Sequence, residues 1–237
     1  MIILGIDTSQ AASVALVDTT TGAVLAAEQA ADQRHHVEFI GPALARVLER
    51  PEVPELVVTG TGPGPFTGLR VGIAAGIAVG LARDIPVRGI LSQTAIAEEV
   101  RRSRAARGDA RPGADAGLVL IAGDARRKEV YASVWDAAAE TMLSGPLVAK
   151  PAELATELAA HDIDPEAVGQ RFGRGFALYP EAIGESADSD IVDPKAEHLA
   201  FAAARVLGSG GELGDPVPEY LREPDAAATP VRQTLLK

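Results

Sequence analysis

Four glycines, Gly68, Gly72, Gly76 and Gly80, recur at strict i, i+4 spacing inside a segment that reads as a helix from about Thr67 to Arg83. Residues four apart lie one above the other, so the glycines line a single edge of that helix. Each glycine in a helix interior costs roughly 0.5–1 kcal/mol against alanine, and the set about 2–4 kcal/mol, which close packing along that edge must offset. The remaining positions, among them Val71, Ile73, Ala74, Ile77 and Leu81, are apolar round most of the circumference. A helix of that kind is covered on more than one side. One side suits a sheet, and the bare edge suits a second helix, from this chain or from a partner subunit. A neighbouring amphipathic helix is expected from about His35 to Glu49. Together the two make Val37, Ile40, Leu44, Gly68, Gly72, Ile73, Gly76, Ile77 and Gly80 the candidate partner or dimer interface. The expectation fails if the glycine edge is filled from within the chain. The apolar stretch 71–82 is too short and too glycine-rich for a membrane span.

Around these helices the chain alternates. Continuous apolar runs at Ile2–Ile6, Ser13–Val17 and Val24–Ala30 read as three consecutive antiparallel strands, the second and third joined by the hairpin loop Asp18–Gly22. Leu56–Thr59 and Pro86–Ile90 are further strands, and Ser92 is the expected cap of a third helix reaching about Arg102. Residues 103–117, rich in Arg, Gly, Pro and Ala, read as a linker or exposed loop; Arg101, Arg102, Arg104, Arg107 and Arg111 make it either a solvated connection or a basic contact for RNA.

After the linker the opening theme restarts. Leu118–Ala122 leads to Asp124, and Val130–Val134 leads to Asp136, as Ile2–Ile6 leads to Asp7 and Ser13–Val17 to Asp18. This predicts an internal duplication. The expected organisation is a first lobe over 1–103, completed by part of 209–237, the linker 104–117, and a second lobe over 118–208. Leu143–Val148 and Val168–Phe172 are further strands of the second lobe, and Pro151–Ala160 a helix. A last helix is expected from Asp193 as cap to Gly208, and the tail from Pro224 to Lys237 shows no period.

Three polar turns stand where chemistry would be placed. Gly60–Gly72 contains a glycine- and proline-rich strand-to-helix turn with Thr67 as expected cap, able to offer N–H groups to an anion, though it lacks the Gly-Lys-Ser/Thr of a phosphate-binding Walker loop. Asp7-Thr8-Ser9 ends the first strand; it is a candidate phosphate or metal-ion site, and a simple turn explains it equally well. Gly123–Arg126 is its counterpart in the second half, and Gly173-Arg174-Gly175 could back a nucleotide base. The four histidines form no helical metal-ligand pair, no Gly-x-Ser-x-Gly elbow is present, and there is no cysteine, so no self-sufficient catalytic constellation emerges. The absence of cysteine and of a basic leader ahead of Ile2 predicts a cytoplasmic protein. A net charge of −11 is unlike that of a free-standing nucleic-acid binder, whose affinity rests on neutralising phosphates.

Ile6-Asp7-Thr8-Ser9, the segment Gly62-Pro-Gly-Pro-Phe-Thr-Gly-Leu-Arg70, Asp124-Ala-Arg126 with Glu129-Val-Tyr131, and Tyr220-Leu-Arg222 occur in that order. Together they resemble the TsaB (YeaZ) branch of the Kae1/TsaD/YeaZ family over roughly residues 1–222. The resemblance implies an α/β protein of the ASKHA (actin-like ATPase) fold, each half a mixed five-stranded sheet flanked by helices. It implies a non-catalytic scaffold and activator that pairs with TsaD, works with the ATPase TsaE, forms a homodimer without TsaD, and meets tRNA only through the complex. The complex transfers a threonylcarbamoyl group to the adenosine beside the tRNA anticodon. It further implies no tightly bound cofactor, ATP and Mg acting through partner subunits, and no metal in this chain. Asp7, Thr8, Ser9, Gly62, Gly64, Thr67, Asp124, Gly173 and Gly175 are then vestigial nucleotide or phosphate contacts. The His-x-x-x-His metal pair of TsaD is absent, since Val37–Ile40 follow His35 and His36. The competing expectation is an independent ATPase or small-molecule kinase of the same fold.

Overall fold

A computed structural model describes residues 1–33, 35–108 and 117–222. Arg111 and the tail from Pro224 lie outside the described residues. The first half forms β1 (Ile2–Asp7), β2 (Ser13–Asp18), β3 (Ala23–Gln29), α1 (His36–Val47), β4 (Leu56–Gly60), α2 (Phe66–Arg83), β5 (Val87–Ile90) and α3 (Gln93–Ala106). The five strands make one mixed sheet in the order β3-β2-β1-β4-β5, with β1, β2 and β3 antiparallel and β4 and β5 parallel to β1. The hairpin between β2 and β3 closes where Gly22, at a φ of 75°, donates to Asp18 O. β1 is apolar on both faces because both are covered. Leu4 and Ile6 pack with Val14, Leu16 and Val57 under α1 and α2, while Ile3 packs with Val17 and Val58 on the other side.

The second half repeats the meander with β6 (Leu118–Asp124), β7 (Val130–Trp135) and β8 (Met142–Ala149), then α4 (Leu154–Ala160), β9 (Val168–Phe172), α5 (Arg174–Leu178), α6 (Pro180–Ile183) and α7 (Ala196–Gly208). The sheet order is β8-β7-β6-β9, with β9 parallel to β6 as β4 is to β1. The duplication is therefore present, but among the described residues the second sheet has four strands and no counterpart of β5.

Four local expectations are corrected. α7 begins at Ala196, with no side-chain cap at Lys195, because the carboxylate of Asp193 is held by the Arg174 guanidinium instead. α7 also belongs to the first sheet, not to the second lobe. Ala196, Leu199, Ala200 and Ala203 pack on Ile3, Ala15 and Val17, and Gly5 lies so close to Ala196 O that a methyl group there would overlap it. Ser92 precedes α3 without a side-chain cap bond; its hydroxyl accepts from Gly62 N at 3.0 Å. α3 runs on to Ala106, four residues past the expected end, since Arg104 is buried and bonds Ala137 O at 2.6 Å and Gln170 Oε1 at 2.8 Å. α3 and α7 lie together between the two sheets: Ala95 joins the first core, and Ile96, Ala97 and Val100 join Val119, Ile121 and Trp135 of the second.

Candidate functional site

The glycine edge of α2 faces inward. A Cβ at Gly72 would overlap the Thr8 hydroxyl, one at Gly76 the Thr59 methyl, and one at Gly80 the Val87 side chain; at Gly68 it would stand 2.7 Å from Thr8 O. The edge is filled by the chain's own β1, β4 and β5 and by the turn after β1, so the argument from a bare edge to a partner helix does not hold. The local reason is Thr8. Its hydroxyl donates to Gly68 O at 2.7 Å and accepts from Gly72 N at 3.1 Å, entering the first turn of α2 between the two groups of one i, i+4 pair. Only a helix without side chains at both positions admits it.

With the glycines inside, the opposite face is left out. Ala74, Ile77, Ala78, Leu81 and Ala82 are exposed on α2, Leu81 at 80% and Ile77 at 38%. Val37, exposed at 67%, with Gly41 and Ala45 extends this surface along α1, which packs beside α2. Of the nine expected interface residues, Val37 and Ile77 are thus exposed. Ile40, Leu44 and Ile73 are buried in the first lobe, as are the four glycines. The exposed apolar face of α2 runs instead through Ala74, Ala78 and Leu81, which are not among the nine expected residues. Their signal was present: the positions opposite the stripe are apolar, and a stripe laid on the sheet leaves them outside. α2 is long and apolar enough to cross a membrane by length and composition alone, yet its narrow edge lies against the sheet.

The second cluster lies between the lobes. Asp7 is fully buried; its Oδ1 accepts from Ser9 N at 2.9 Å and from Ser9 Oγ at 2.7 Å. Its Oδ2 has no partner of good geometry, and the Ser92 hydroxyl beside it offsets only part of the cost of burial, which pushes the pKa up to about 6. Asp124 closes its own turn, accepting from Arg126 N at 2.7 Å and pairing with the Arg126 guanidinium at 3.1 Å. Between these turns stands Gln10, which sequence reasoning passed over. Its Nε2 donates to Asp124 O at 3.0 Å and its Oε1 accepts from Asp124 N at 3.1 Å, in the manner of one more strand residue. Gln33 Nε2 donates to the same Oε1 at 2.7 Å, and His36 Nε2 bonds Gln10 O at 2.8 Å.

These residues do not fit a nucleotide in this conformation. A phosphate between the two turns would have to take the place of the Gln10 amide, and Asp7 offers it no surface. The other expected contacts are used internally. Gly62 N bonds Ser92 Oγ, and Gly64 packs on Ser9 so that a Cβ would lie 2.8 Å from Ser9 Cα. Thr67 is exposed inside α2, whose cap position is Pro65. Gly173 and Gly175 bring α5 onto Ala122 of β6, where Gly173 adopts a φ of 109°. Of the arginines in 101–111, the described Arg101, Arg102, Arg104 and Arg107 have protein partners, and Arg111 lies outside the described residues. Arg101 and Arg205 both grip the buried Glu98, and Arg102 lies 3.8 Å over the Phe201 ring.

The C-terminal strap joins the clusters. Gly214 bridges the edge of β5 at Gly89, and Glu219 N donates to Thr61 O at 2.7 Å. Tyr220 stacks on Phe66 at 4.5 Å between ring centroids, its hydroxyl accepts from Arg70 Nε at 2.7 Å, and Arg222 crosses to Ala125 O at 2.9 Å and to Glu129. Arg222 also stands 5.7 Å from the centre of the Tyr131 ring, so the strap gathers Phe66 and Arg70 at Tyr220, and Glu129 and Tyr131 at Arg222.

Comparison with known proteins places this geometry. The family model described as TsaD, tRNA N6-adenosine threonylcarbamoyltransferase, matches residues 24–213. Uncharacterized protein Rv3421c of Mycobacterium tuberculosis is 33% identical, over 94% of this chain and 93% of its own length. Uncharacterized protein ML0378 of Mycobacterium leprae is 36% identical over 65% of this chain, which spans 40% of that relative. The tRNA threonylcarbamoyladenosine biosynthesis protein TsaB of Escherichia coli is 27% identical over 94% of this chain and 95% of its own. Among solved structures, YeaZ from Pseudomonas aeruginosa superposes with a TM-score of 0.70 at 26% identity, covering 93% of this chain and 99% of that one.

Proposed function

The chain belongs to the TsaD/YeaZ family, on its TsaB (YeaZ) branch, and from that membership we propose that it acts in the cytoplasm as the non-catalytic scaffold and activator that pairs with TsaD. Its role lies in tRNA threonylcarbamoyladenosine biosynthesis. The observation that carries the pairing is the apolar outer face of α2, with Ile77 and Leu81 exposed on it. An apolar patch of this kind, continued by Val37 on α1, marks a protein-protein contact. TsaD is the occupant, and a second copy of the chain takes the same face when TsaD is absent. TsaE joins the pair, tRNA is met only through the complex, and ATP and Mg act on the partner subunits. The acidic balance of −11 fits a subunit that leaves phosphate contacts to others. The competing reading, an independent ATPase or kinase, would require the Gln10 bridge to open.

An aspartate at Leu81 places a charge in the centre of that contact, where desolvation is costly. Leu81→Asp is expected to weaken pairing with TsaD by about tenfold or more while leaving the melting curve close to wild type. Size exclusion and calorimetry with purified TsaD measure the pairing. Reconstituted tRNA modification with and without the chain measures its consequence. Wild-type pairing by both Leu81→Asp and Ile77→Asp would sink the proposed interface, and full modification without the chain would sink the scaffold role. Micromolar ATP binding by the isolated chain, lost in Asp7→Ala, would favour the ATPase instead.

A further inference from the structure

Seven arginines are partly or fully buried among the described residues, and six have a protein partner. Arg101 and Arg205 hold Glu98, Arg104 holds Ala137 O and Gln170, Arg174 holds Asp193, Arg222 holds Glu129, and Arg102 lies over Phe201. Arg171 is the seventh. Among the described residues no carboxylate pairs with its guanidinium and no side-chain oxygen accepts from it. It lines a pocket of about 320 Å3 on the outer side of the second sheet, and every other lining residue is apolar or glycine. The walls are Leu120 of β6, Val168 of β9, Leu154 and Leu158 of α4, and Ile183 of α6.

The arginine is there because of an irregularity in β9. Leu118 pairs with Val168 but Val119 pairs with Gln170, so the register shifts at Gly169. Without the shift, alternation would send Val168 and Arg171 to opposite faces. With it, Arg171 pairs with Leu120 and faces α4, while Gln170 turns the other way to meet Arg104. Among the described residues, Arg171 is thus a cation without an anion partner, set at a recess whose other side chains are apolar. The volume is at the lower end of the roughly 300–1,000 Å3 range of small-ligand pockets. Apolar walls with one fixed polar group are the usual composition of such sites.

We propose that this pocket binds a small amphipathic monoanion, an acyl-type chain ending in a carboxylate, with the chain against Leu120, Leu154 and Leu158 and the carboxylate on Arg171. The planar guanidinium offers two parallel N–H donors to a carboxylate, which an alcohol or an amine cannot use. The site is remote from the outer face of α2 and goes beyond the scaffold role.

The probe is octanoate, compared with octanol and octylammonium, titrated below micelle-forming concentrations into the full chain by calorimetry and followed by thermal shift. Octanoate is expected to bind saturably and to raise the melting temperature, with octanol about tenfold weaker and octylammonium weaker still. Arg171→Gln should erase the preference for octanoate over octanol, and Arg171→Lys should keep part of it. Ala155→Trp, an exposed position on the pocket rim, should block all three without changing the fold. Absence of saturable octanoate binding, equal binding of octanoate and octanol, or undiminished octanoate binding by a folded Arg171→Gln would each overturn the proposal.

Discussion

Gly76→Leu and Gly72→Leu are expected to destabilise the first lobe rather than merely to block a partner. At Gly76 the first added carbon already overlaps the Thr59 methyl and stands 3.4 Å from Val57 Cγ1, both on β4 in the middle of the sheet. At Gly72 it displaces the Thr8 hydroxyl and strands a buried donor. Overpacking costs about 1–3 kcal/mol and an unsatisfied buried polar group another 1–3 kcal/mol. Against this stands a gain of about 1 kcal/mol from replacing glycine in a helix. The loss wins, by about 1–5 kcal/mol for Gly72→Leu, a sizeable part of the 5–15 kcal/mol that holds an ordinary domain together. Urea melts of the isolated chain measure it. A Gly72→Leu protein as stable as wild type, defective only in pairing, would restore the glycine edge to the surface.

The contrast between that edge and Leu81 shows what was legible. Spacing says which residues share a face of a helix and not what covers that face. Gly68, Gly72, Gly76 and Gly80 were correctly read as a site of close approach. The object that approaches, Thr8, lies some 60 residues earlier at the end of β1, and a hydroxyl inserted into a helix turn leaves no periodic trace. β1, β2, β4, β6 and β7 were legible because each is a largely apolar run ended by Asp or Gly, and the duplication followed from the matching ends at Asp7 and Asp124. Helix α7 was legible as a helix but not as a neighbour of β1, because its apolar face suits either sheet. Asp193 and Arg174 illustrate the same limit from the polar side. A carboxylate before a helix reads as a cap, yet a guanidinium brought near by the fold is the stronger partner. Gln10 carries no motif at all; its importance arises only once the two turns face one another.

Asp7→Asn is expected to reverse part of the pH dependence of stability. Burial holds the native carboxyl at a pKa of about 6, against 3.8 for the exposed group. Between these values the native state keeps a proton that the unfolded state has released, so stability falls as pH rises from about 4 to 6 and stays at the lower level above. The difference of about two units corresponds to about 3 kcal/mol. Asparagine has no charge to bury, and its Oδ1 can still accept from Ser9 N and Oγ. Its amide changes the bonding at Ser92 by an amount that does not depend on pH. The comparison is therefore a double difference, wild type and variant at pH 4 and pH 7.5, in which every other carboxylate cancels. The variant should gain on wild type by up to about 3 kcal/mol between the two conditions. Parallel curves would mean that Asp7 is ionised through the whole range, with a cation or solvent reaching Oδ2. A closed cleft with Gln10 across it does not allow that access, so the measurement also reports whether the two turns open in solution.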